Sequence, residues 1–94
     1  MKADKLLHER HVVAEHVFVE LLIWRVPVPV QGSQHWLKYS LALVMHGRCV
    51  MRYDNEAGKG DHRHEDGAES AYRFSTFEQL LADFWKDVDR WLSR

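Results

Sequence analysis

This 94-residue sequence predicts an α+β fold: an antiparallel β-meander of four to five strands with one C-terminal α-helix packed on one face. Three observations predict it. The first half alternates with period 2, the connections are too short for parallel crossovers, and a 3.6-period apolar stripe occupies the C-terminus.

Leu6 to Val13 is a short mixed segment that Ala14-Glu15-His16 connects to a stronger strand. There Val17, Val19, Leu21 and Ile23 point one way and Phe18, Glu20, Leu22 and Trp24 the other. Branched and aromatic residues at that period mark a strand. Pro27 and Pro29 end it, and Gln31-Gly32-Ser33 reads as loop. From Trp36 to His46 the alternation is cleanest, with Leu37, Tyr39, Leu41, Leu43 and Met45 on one face. His46-Gly47-Arg48 reads as a hairpin turn, since glycine takes positive φ freely. The returning strand then places Cys49, Met51 and Tyr53 on one face, with Cys49 expected buried and unreactive.

Asn55 to Ser70 is dense in Gly, Asp, Glu, His and Lys and reads as loop, followed by a brief edge strand at Tyr72 to Phe74. A helix follows, opened by a capping box of Ser75 and Glu78. Phe77, Leu80, Leu81, Phe84, Val88, Trp91 and Leu92 form its core-facing stripe. Residues 1–94 are thus read as a single domain, with strands across roughly 6–54 and 71–74, a functional loop over 53–70 and a helix over 76–92. The helix covers the apolar face, while the other face, carrying Lys38, Arg52, Asp54 and Trp24 or Trp36, stays partly wet.

A hydrophobic share of 46% argues against a disordered chain. The single cysteine closes no internal disulfide, and Met1 to Arg10 has the wrong pattern for a signal peptide. The least charged stretch, Val26 to Leu37, holds two prolines and cannot span a membrane. The expected location is the cytoplasm, with no membrane contact. A formal net charge of −1 excludes a nonspecific nucleic-acid coat and leaves an RNA substrate open.

The chemistry-bearing residues are concentrated between Tyr53 and His64. Lys59 stands between two glycines, and Asp61, His62, Arg63 and His64 follow directly. Cleavage of a phosphodiester by the 2′-OH of RNA needs a base, an acid and cations for the developing charge. His62 and His64 suit proton transfer, Lys59 and Arg63 suit charge stabilisation, and Asp61 or Asp54 suits orienting an imidazole. Lys38, Arg48, Arg52, Tyr53 and Asn55 are the expected nucleic-acid contacts. No metal and no cofactor is assigned. The competing reading is a metal-dependent hydrolase in which His62 and His64 act with Asp61, with Glu65 and Asp66 as further oxygen donors. The bland alternative is a solvated connection, which is what polar glycine-rich loops usually are.

Tyr53-Asp54-Asn55-Glu56 followed by Gly58-Lys59-Gly60-Asp61-His62-Arg63-His64 is similar to the hallmark segment of the TumE family of bacterial toxins. The resemblance extends to Ile23-Trp24-Arg25-Val26-Pro27, to Tyr72-Arg73-Phe74 and to Leu80-Leu81-Ala82-Asp83-Phe84. Ala71 stands where a proline would be expected before the Tyr-x-Phe piece. The resemblance implies the toxin of a toxin–antitoxin pair, partnered by a cognate antitoxin protein. By analogy with other such toxins it implies an endoribonuclease or translation inhibitor, here expected to be metal-independent, acting on RNA. An antitoxin is expected to cover the loop and to supply carboxylates to Lys59 and Arg63. The alternative is a non-catalytic protein- or RNA-binding module, and a homo-oligomer stays open.

Overall fold

The computed structural model describes residues 3–94; Met1 and Lys2, which begin the stretch read above for a leader, lie outside it. Six strands form one antiparallel sheet: β1 (Asp4–Ala14), β2 (Val17–Arg25), β3 (Leu37–Met45), β4 (Arg48–Glu56), β5 (Gly60–Glu65) and β6 (Ala68–Ala71). Each pairs with its neighbour in sequence, and one helix, α1 (Phe77–Leu92), closes the chain. The α+β class and the antiparallel meander are as expected, but the strand count is six.

The two unexpected strands lie in the segment read as loop. Asp66 and Gly67 take φ of 50° and 85° between β5 and β6, the left-handed pair that suits a two-residue hairpin. Composition hid these strands because the helix-facing positions Arg63 and Glu65 of β5 are charged and their partners on β6, Ser70 and Ala68, are small. The edge strand expected at Tyr72 to Phe74 is an extended connection instead, with the strand just before it.

The core lies between α1 and the face that carries Val17, Val19, Leu21 and Ile23 of β2, Tyr39, Leu41 and Leu43 of β3, and Met51 and Tyr53 of β4. Leu80, Phe84, Val88 and Trp91 of the helix complete it. Leu41, Leu43, Ile23 and Phe84 are fully buried, so this contact supplies most of the apolar area removed from water. The helix begins one residue later than the expected capping box. Thr76, extended at φ −135° and ψ 162°, accepts the N–H of Gln79 at 3.0 Å. A β-branched threonine favours that extended geometry, so it caps rather than joins the first turn.

One further correction concerns Cys49. A register shift pairs Leu43 with Met51 but Val44 with Cys49, leaving Val50 as an extra residue. That bulge turns Cys49 to the opposite face from Met51, and the thiol is exposed. Among the described residues no helix is long and apolar enough to cross a membrane.

Candidate functional site

Because Asp61 to His64 is a strand, its side chains alternate between the two faces of the sheet. The register pairs Asn55 with Asp61 and Tyr53 with Arg63 on the helix-covered face. On the open face it pairs Asp54 with His62 and Arg52 with His64. The four consecutive residues read as one cluster therefore form two.

On the helix-side face, no buried side-chain polar atom among the described residues lacks a hydrogen-bond partner. Asp61 Oδ1 accepts from the Tyr39 hydroxyl at 2.8 Å and lies 2.7 Å from His35 Nε2. His35 Nδ1 accepts the Leu37 N–H, so the ring proton sits on Nε2 and is donated to Asp61. Burial, reinforced by Asp61, pushes the Tyr39 hydroxyl well above the ordinary phenol range. Asn55 accepts the Tyr39 N–H at 2.9 Å and donates to Ser33 Oγ and the Leu37 carbonyl. Arg63 donates to Asp87 of the helix at 2.7 Å and to Glu65 at 3.2 Å. The Tyr53 hydroxyl also reaches Asp87, and Glu65 accepts from Arg90 and from the Trp91 indole. Burial alone would raise the carboxyls of Asp87 and Glu65. Hydrogen bonds outweigh it, from Tyr53 and Arg63 to Asp87 and from Arg90 and Trp91 to Glu65, and hold both below the carboxylate range.

The open face is different. His62, 3% exposed, has Nδ1 2.9 Å from the Gly60 carbonyl, which can only accept, so that nitrogen carries the proton. Its Nε2 faces Asp54 Oδ1 at 2.8 Å, yet the pair lacks hydrogen-bond alignment. Both atoms are buried without a hydrogen-bond partner among the described residues. His64 brings Nε2 to 3.6 Å from the same Asp54 oxygen, and the two imidazoles meet edge to face at 4.7 Å. Glu69 of β6 lies 3.8 Å from both histidines. One donor atom each from Asp54, His62 and His64 falls within 4.8 Å of the others. Arg52 borders this cluster, exposed and without an ion pair among the described residues.

The expected site residues are thus dispersed. His62 and His64 stand together, joined by Asp54 rather than Asp61. Lys59 is at the β4–β5 turn, 3.7 Å from Glu56 and 4.0 Å from Glu69, so it reaches the open-face rim. Arg63 and Asp61 belong to the covered network, where the helix already supplies the carboxylate an antitoxin was expected to bring to Arg63. Among the expected nucleic-acid contacts, Tyr53 is buried against the helix and Asn55 is buried against Ser33, Leu37 and Tyr39. Lys38 is exposed and donates to the Asn55 carbonyl, and Arg48 pairs with Asp66 at the far turn. Sequence reasoning missed His35 and Glu69. The signal for Glu69 was Asp66-Gly67, a two-residue turn that pairs His64 with Glu69. No local motif marked His35, whose carboxylate and stacking partners, Asp61 and Phe74, are 26 and 39 residues away.

A small meander with a polar, partly buried His/Asp cluster on its open face is the architecture to be assigned. The family model described as Toxin TumE matches residues 2–92, and the chain belongs to that family of toxins. No curated protein and no solved structure matches it.

Proposed function

We propose that this chain is the toxin of a toxin–antitoxin pair and that it cleaves RNA at the Asp54–His62–His64 cluster. The observation that carries the reading is the convergence of those three side chains on the open face, beside Arg52, a cation without an ion pair among the described residues. Arg52 and Lys59 flank the cluster and are suited to hold backbone phosphates, Arg bidentately. The geometry changes one role expected from sequence. His62 is buried and its Nδ1 is committed to Gly60, so it serves the cluster from below rather than exchanging protons with substrate directly.

The test is induced expression of wild type and of the His62→Ala, His64→Ala double variant at matched soluble levels, with mapping of RNA 5′ ends. Arrest and new RNA ends with wild type alone are expected. Equal arrest by both would overturn the site.

A second reading, a non-catalytic binding module, is favoured by one observation. Leu22, Trp24, Val26 and Ser40 line an apolar groove of about 330 Å³ on the same open face, next to the strand that carries Asp54. Arrest abolished by Trp24→Ala but not by the double histidine variant, without RNA cleavage, would select it.

A further inference from the structure

We infer that Asp54, His62 and His64 form a three-ligand site for a divalent transition-metal ion of the zinc class, open on its solvent side. The inference rests on the proposed function only for the use of the ion; the binding itself stands on geometry. A neutral His62 that donates Nδ1–H to Gly60 leaves a bare lone pair on Nε2, and the nearest atom is a carboxylate oxygen 2.8 Å away. Two acceptors at that distance repel unless a positive charge lies between them. Protonating Nε2 would supply one, but its N–H should then point along the contact, and the pair is not so aligned. Two donors side by side, with lone pairs converging on a third point, are the arrangement of neighbouring ligands on one cation. His64 Nε2, 3.6 Å from Asp54 Oδ1, closes the third corner.

The surroundings are those of a metal-bound histidine pair. A ligating imidazole usually donates its other N–H to a backbone carbonyl or carboxylate, which fixes ring orientation. Here His62 has the Gly60 carbonyl, and His64 turns Nδ1 toward Glu69 at 3.8 Å. Two imidazoles and one carboxylate suit zinc, iron or nickel, and three protein ligands leave room for water or a phosphate oxygen. His62 and Asp54 are buried and His64 is partly exposed, so the remaining positions face outward, beside Arg52. An ion there would polarise a phosphoryl oxygen or lower the pKa of bound water.

The test is calorimetric titration of chelator-stripped full-length protein with Zn²⁺, Mn²⁺ or Ni²⁺ alone, with melting temperature read in parallel. One equivalent is expected, with affinity reduced about tenfold or more in Asp54→Asn and in His64→Gln. The control His16→Gln, at an exposed turn, should bind as wild type. At equal metal concentration the melting temperature should rise more in wild type than in the two site variants. Both variants keep nearly the native volume, so folding is read before binding. No bound metal, or binding indifferent to Asp54→Asn and His64→Gln, would overturn the site. Metal bound at the site without RNA cleavage would instead reject the RNA reading and leave the site standing.

Discussion

The two faces of the β4–β5 hairpin are built from alternate residues of the same run, yet they treat polar atoms in opposite ways. On the helix side Asp61, Arg63, Glu65, Tyr39 and Asn55 are all paired. On the open side Asp54 Oδ1 and His62 Nε2 are buried without a hydrogen-bond partner among the described residues. An unsatisfied buried polar atom costs about 1–3 kcal/mol, so such atoms persist where something other than the fold makes use of them. The covered network is closed by its own hydrogen bonds and the open cluster is not, although their residue types are nearly the same.

Several changes would break or sharpen that contrast. The largest effect is expected from Phe84→Ala, which removes a fully buried ring from the helix contact and should cost about 3–5 kcal/mol. Urea denaturation would measure it. Gly60→Ala comes next. Gly60 has φ of +74°, and a Cβ there would lie 2.6 Å from the Gly32 carbonyl oxygen. Strain and overlap together should cost about 2–4 kcal/mol, and the shift would also disturb the His62 anchor.

The sharpest comparison is between two carboxylates. Asp61→Asn should cost about 1–3 kcal/mol, because it weakens bonds to Tyr39 and His35. Asp54→Asn in metal-free protein should cost little or stabilise, because it removes a repulsive contact. Equal losses by urea midpoint at unchanged slope would erase the distinction between the faces.

A smaller effect concerns acid. The depressed carboxyls of Asp87 and Glu65 contribute stability that is present above their ordinary values of 3.8 and 4.5 and is lost as pH falls through the lower folded values. Stability should therefore fall below about pH 4.5, and Asp87→Asn should flatten that fall. The smallest concerns Cys49→Ser, expected to leave stability within about 0.5 kcal/mol, while the native thiol reacts readily with a thiol reagent.

The apolar strands and the helix were legible because their patterns are dictated by one large contact, that of Val19, Leu21, Leu41 and Leu43 with Leu80, Phe84 and Val88. β5 was not, because its inner face meets the helix through ion pairs, and charged residues carry no hydrophobic period; β6 was not, because its four residues, Ala68 to Ala71, hold nothing large and apolar. The site was half legible. His62 and His64 are two apart and share a face in any strand, so their pairing needed only the strand assignment. The choice of Asp54 over Asp61 depended on the register between β4 and β5, which composition does not encode. Cys49 was misplaced because an inserted residue in a strand reverses the alternation before it.

Every strand pairs with its neighbour in sequence, and α1 follows all six of them. In synthesis every residue of the sheet, with the whole candidate site between residues 54 and 69, is therefore made before the helix. Until residues 77–92 emerge, the face of Val19, Leu21, Leu41 and Leu43 is bare. A chain cut short before the helix would carry the candidate site on an apolar sheet prone to aggregate, so α1 decides whether that site reaches solution in usable form.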